Sequence, residues 1–159
     1  MLLLCEGVAM PSFTFREPLR DEWLDAYGHL NEGYYYVAFA NAGWDLLRQL
    51  ELGVEYFERT GCAFYVAESH LRFLKDIRAP AMLQTESMLF GCDSKRMHYG
   101  YILSVDGMER ATMESVCMHI DTKAGRSVPM PAEVQERLQR TAVAMLPSWS
   151  GRAVSLGQK

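Results

Sequence analysis

At 159 residues the chain has the length of one domain and can bury a core without metal or disulfide staples. Its 49% hydrophobic and 23% charged residues, with a formal net charge of −4, are ordinary for a globular protein and give no basic footprint for nucleic acid. Cys5, Cys62, Cys92 and Cys117 show no paired spacing, which argues against a zinc knuckle or a redox motif; no metal is expected, and a reduced, cytoplasmic setting is.

Met1 to Cys5 is apolar but short and lacks a basic leader, so it reads as neither a signal peptide nor a membrane span. Residues 1–11 are expected to form an N-terminal extension, the folded unit to cover 12–141, and 142–159 to form a flexible tail rich in Ser, Gly and charge. Within the folded unit, Ser12 to Trp23 alternates Phe13, Phe15 and Leu19 with polar residues around Pro18, which predicts an edge or terminal strand.

After the turn at Gly28, Tyr35, Phe39, Ala42, Leu46 and Leu50 share one helix face, and Val37, Ala40, Trp44 and Leu47 cover a second. A helix apolar on both faces is expected to be enclosed on most sides, with Asn41, Asp45 and Arg48 as its solvent stripe. Gly53 ends it, and Val54 to Arg59 adds a short helical turn before Gly61.

The rest of the chain has strand chemistry. Ala63, Tyr65, Ala67, Ser69, Leu71 and Phe73 are expected on one face of a long strand, with Glu68, His70 and Arg72 on the other. Strands follow over 81–90, 97–105 and 110–120, the last two joined by an Asp106-Gly107 hairpin, and a short helix over 132–140. Strand, apolar helix, then four consecutive strands is an α+β layout in which one antiparallel sheet wraps around a central helix.

The run Asp25-Ala26-Tyr27-Gly28-His29-Leu30-Asn31, with Tyr35 following, resembles the signature of the 4-hydroxybenzoyl-CoA thioesterase branch of the hotdog-fold superfamily. A narrower likeness lies in Glu68-Ser69-His70-Leu71-Arg72-Phe73-Leu74-Lys75, in Lys95-Arg96-Met97-His98, and in His119-Ile120-Asp121 with Gly125 to Pro129. Together these look like the betainyl-CoA thioesterase group, whose members occur alone or fused to carnitine dehydrogenases. The resemblance implies a hotdog fold, an acyl-CoA substrate without a separate cofactor, and a homodimer or homotetramer. Hydratases of the superfamily carry an Asp and a His five residues apart, whereas the residue five beyond Asp25 is Leu30.

What the resemblance implies for the site has a physical basis. A thioester carbonyl gains negative charge when attacked, so fixed N–H donors at a helix start favour the reaction. The donor is expected at the backbone N–H of Glu32 or Gly33, and Asp25 acts as nucleophile or as general base on water. The bland alternative makes Asp25 a capping carboxylate. Gly28 sets the turn that places Asp25, while Asn31 either caps the helix or shapes the site. His29, Tyr27 and Tyr35 are candidate substrate contacts, His29 with no acid partner visible in sequence.

Glu68 and His70 are candidates for contacting the acyl group or for simply facing water. Lys95 and Arg96, at a tight turn, suit the CoA phosphates or solvent. The aromatic density of Trp23, Tyr27, Tyr34, Tyr35, Tyr36 and Tyr65 would suit a trimethylammonium acyl group or ordinary packing. Rival readings are a thioesterase for another acyl-CoA or an acyl-carrier protein, and a non-catalytic acyl-CoA-binding hotdog protein.

Overall fold

The computed structural model describes residues 12–154; the expected extension at residues 1–11 lies outside them. Strand β1 (Phe13–Pro18) is followed by α1 (Glu32–Gln49), α2 (Val54–Thr60), β2 (Cys62–Phe73), β3 (Met82–Cys92), β4 (Arg96–Val105), β5 (Met108–Asp121), β6 (Arg126–Ser127) and α3 (Ala132–Thr141). The strands form one antiparallel sheet in the order β1-β3-β4-β5-β2, with β6 beside β5. Curled about α1, this is the α+β architecture that the hydrophobic periods require.

The first strand is shorter than expected. It stops at Pro18, which has no N–H to continue a ladder, and the chain turns through a 3-10 segment at Asp21–Trp23. Trp23 is buried there, and its carbonyl accepts the Asn31 N–H at 3.0 Å, which ties the turn to the start of α1.

One face of α1 behaves as its spacing predicts: Tyr35, Phe39, Ala42, Leu46 and Leu50 are all buried in the main core. The second face does not. Trp44 is 64% exposed and Val37 38% exposed, because the sheet curls over only one flank of the helix in this chain. Beneath that open flank lies a cavity of about 180 Å³ between α1 and the inner faces of β2, β4 and β5.

The faces of β2 also differ from simple alternation. Val66 pairs with Cys117 and Glu68 with Val116, so Ala67 is an extra residue and the strand bulges there. Phe64 and Val66 therefore share the helix side with Ser69, Leu71 and Phe73, while Tyr65 falls on the outer side with Glu68 and His70. Chain order also misleads about neighbours: β2 pairs with β5, not β3, and among the described residues its other edge is open.

His119 pins the narrow end of the core. Its Nδ1–H donates to the Val128 carbonyl at 3.0 Å, leaving Nε2 to accept the buried Tyr56 hydroxyl at 2.8 Å.

The segment after α3, expected as a flexible tail, lies on the outer face of the sheet through residue 151. Val143 N–H donates to Leu89 O at 2.8 Å, and Trp149 packs against Phe90 over Gly100, where a Cβ would meet Trp149 Cη2 at 2.7 Å. Glu114 holds the end of this segment, accepting the Ser150 hydroxyl and the Gly151 N–H, each at 2.7 Å. Composition alone hides such docking, since its anchors are one tryptophan and one distant carboxylate.

Candidate active site

Asp25 sits in a tight turn whose backbone is fastened at both ends. Its N–H donates to His29 O at 2.8 Å, and its carbonyl accepts the Gly28 N–H at 3.0 Å. Gly28 has φ +75°, a conformation that L side chains adopt only with strain. One carboxylate oxygen, Oδ1, accepts the backbone N–H groups of Tyr27 at 2.8 Å and His29 at 3.0 Å. These donors, the His29 bond foremost, hold the carboxyl below its ordinary pKa. Oδ2 has no hydrogen bond among the described residues and is open to a shallow recess lined by His29, Glu32, Tyr35, Phe73 and Asp76.

Asn31 caps α1: its Oδ1 accepts the Gly33 N–H at 3.0 Å. Gly33, one of the two expected oxyanion donors, is thereby occupied. The Glu32 N–H has no acceptor among the described residues and carries the positive end of the helix dipole.

The other expected contacts scatter. Tyr27 is 81% exposed and is not among the residues lining the recess. Tyr35 is buried, its hydroxyl 3.4 Å from Lys75 O and its ring edge-on to Phe73 at 5.1 Å. Trp23 and Tyr34 stack on each other at 5.8 Å, with Arg20 over the tryptophan, and serve packing. Tyr36 alone of that aromatic group lines the cavity under α1, alongside Phe39, Trp44, Phe64, Tyr99 and Tyr101.

Glu68 and His70 lie on the outer face of the sheet in a recess with His98 and Glu114, so the structure does not bring them to Asp25. There His98 Nε2 meets Glu114 Oε1 at 2.7 Å. Burial would raise the Glu114 pKa, but bonds from Ser150, Gly151 and His98 outweigh it and lower it. Lys95 and Arg96 stand at the opposite end of the sheet, roughly 30 Å of strand away at about 3.3 Å per residue. Asp93 holds the Arg96 guanidinium there through an Nε bond of 2.7 Å.

The sequence reading missed the connection after β2. Lys75 and Asp76 line the recess, Arg78 and, from the β4–β5 hairpin, Arg110 bond to Asp76, and Asp76 Oδ2 lies 3.4 Å from His29 Nε2. A charged run directly before the Ala79-Pro80 turn was the available signal.

A carboxylate fixed beside an open helix-start N–H is an arrangement for acyl transfer, and comparison with known proteins decides the family. Residues 19–138 match the model of the thioesterase-like superfamily. The chain belongs to that superfamily. It is a thioesterase with the hotdog fold. It is 29% identical to the betainyl-CoA thioesterase of Pseudomonas aeruginosa over 90% of this chain and 94% of that protein. It is 34% identical to the L-carnitine dehydrogenase/betainyl-CoA thioesterase of Rhizobium meliloti, covering 86% of this chain but 28% of that longer protein. Among solved structures, a hypothetical protein of Staphylococcus aureus in complex with CoA superposes with a TM-score of 0.83 at 18% identity, over 92% of this thioesterase and 96% of that chain.

No helix among the described residues is long and apolar enough to cross a membrane.

Proposed function

We propose that this thioesterase hydrolyses a small acyl-CoA, with betainyl-CoA the foremost candidate, to the free acid and CoA. The observation that carries the reading is the pairing of Asp25, ionised and with one oxygen free, with the open Glu32 N–H at the start of α1.

In this reading Asp25 is the nucleophile. A carboxyl held below its ordinary pKa is a weak base at neutral pH, yet it is always ionised and ready to attack. Oδ2 attacks the carbonyl carbon, the developing oxyanion is met by the Glu32 N–H and the helix dipole, and the C–S bond breaks to give a mixed anhydride that water opens. Gly28 and Asn31 shape this site, the first through the turn and the second through the cap.

The relatives' chemistry and the aromatic cavity under α1 support this choice of acyl group. Tyr99 and Tyr101 meet edge to face at 81°, giving two perpendicular ring walls, and Tyr36 and Trp44 stand at the mouth. Aromatic faces attract a quaternary ammonium by about 0.5–2 kcal/mol per contact.

The working form is a homodimer. Twelve residues of β2 form an open edge, and beside it Trp44, Tyr65 and Val66 are each more than half exposed. Antiparallel pairing of two β2 edges would cover these residues. It would also reverse the partner, bringing its Lys95 and Arg96 toward the Asp25 end, where Lys75, Arg78 and Arg110 add charge for the CoA phosphates.

A panel of acyl-CoA esters assayed for free thiol tests the reading. Preference for betainyl-CoA over benzoyl and medium-chain esters is expected. The reverse preference assigns another acyl-CoA, cleavage only of acyl-carrier-protein thioesters moves the substrate, and binding without cleavage makes the protein a sensor.

A further inference from the structure

The connection between β2 and β3 does more than line the recess. Leu30 N–H donates to Ile77 O at 2.8 Å, and His29 forms an isolated β-bridge with Arg78. Residues 76–78 thus clamp the same two loop residues whose neighbour is Asp25. At the centre is Asp76. Its carboxylate lies 3.4 Å from His29 Nε2 and 3.2 Å from Arg78 Nε, and Arg110 donates to its carbonyl at 3.0 Å.

His29 Nε2 is enclosed and makes no strict hydrogen bond among the described residues; it faces the Asp76 carboxylate. An enclosed ring nitrogen that faces a carboxylate is best satisfied as N–H, which leaves the lone pair on Nδ1. The side chain is 30% exposed although Nε2 is covered, so its accessible part is the rest of the ring. Asp25, His29 and Asp76 all line one recess.

The reaction proposed above leaves a task unassigned. With Asp25 consumed as nucleophile, another group must take the proton from the water that opens the anhydride. We propose that His29 is that base and that Asp76 is the positioning residue that fixes its tautomer; this rests on the thioesterase reading. In the first step the Asp25 Oδ2–carbonyl bond forms and the C–S electron pair leaves on the CoA sulfur. In the second, His29 Nδ1 takes a proton from water as its oxygen bonds to the anhydride carbon. The C–O bond to Asp25 breaks, restoring its carboxylate, and the imidazolium passes its proton to the thiolate.

Charged groups face His29 from four elements: Asp25 on its own loop, Lys75, Asp76 and Arg78 on the connection, Glu32 on α1 and Arg110 on the β4–β5 hairpin.

The test uses the full chain with the best ester from the panel. Wild type is expected to show a kcat that rises with pH through the neutral range in which imidazoles titrate. His29→Gln should flatten that limb and lower kcat by about 100-fold, with KM falling alongside so that kcat/KM stays within about threefold, and with a rapid first-turnover burst of thiol, because attack by Asp25 survives. Asp76→Asn should lower kcat by about tenfold, and Asp76→Glu should restore part of the loss. Added imidazole should rescue His29→Ala, which keeps the test decisive if His29→Gln folds poorly.

An unchanged limb and kcat in His29→Gln would overturn the dyad while sparing the thioesterase. So would losses that appear as raised KM and lowered Tm without imidazole rescue, since those mark a packing role alone. A wild-type protein that cleaves no thioester would overturn both readings.

Discussion

The Oδ1 of Asn31 accepts the Gly33 N–H at 3.0 Å, and this bond decides which backbone group at the start of α1 stays open to a ligand. With Gly33 engaged, the Glu32 N–H is the donor aimed out of the helix. The cap therefore links stability and chemistry through one side chain. Asn31→Ala should lose about 1 kcal/mol of stability, a fall in Tm of roughly 2–4 °C. It should also weaken turnover by loosening the first turn that holds Glu32. Thermal unfolding and kcat measured on the same variant check this, and a variant equal to wild type in both would remove the cap from the account.

Glu17 makes the opposite use of an asparagine. Asn41 Nδ2 donates to both of its carboxylate oxygens, at 3.1 and 2.9 Å, and Arg20 lies 3.9 Å away. Burial nevertheless dominates and holds Glu17 above the ordinary carboxylate range, against the lowering effects of Asn41 and Arg20. A raised carboxyl pKa means that the folded state binds the proton more tightly than the unfolded chain. Ionised Glu17 thus opposes folding above its unfolded pKa, and the penalty is relieved as pH falls through the folded value. Glu17→Gln should raise Tm by about 1–3 °C at neutral pH, with the gain shrinking as pH falls through the carboxylate range.

The dimer has its own variant. Val66 is 52% exposed on the open edge of β2, next to the bulge at Ala67. Val66→Asp should give a folded monomer by sedimentation, with lost activity and unchanged far-UV dichroism. A wild-type protein that is monomeric and fully active would contradict the assembly.

Hydrophobic period makes the frame legible in the sequence. The face of α1 from Tyr35 to Leu50 is buried as its spacing demands, and the hairpin at Asp106-Gly107 turns where the residue pair predicts. What stayed hidden was set by single residues or by distance along the chain. Ala67 looks like any other alternating position, yet as a bulge it moves Tyr65 to the side of Glu68 and His70. Asp76 meets His29 across the whole of α1, α2 and β2, so the acid partner of His29 was invisible as a local motif. Glu68 and His70 are adjacent in sequence pattern to the site-bearing segment but point from the opposite face of the sheet.

The central claim is that Asp25 carries the chemistry. Its most direct test is thiol release from the preferred acyl-CoA ester by Asp25→Asn, measured in steady state beside wild type. The account predicts a kcat lower by about 10³-fold or more, with KM little changed, because the ester still meets the Glu32 N–H and the cations of the recess. Near-normal turnover by Asp25→Asn would contradict it.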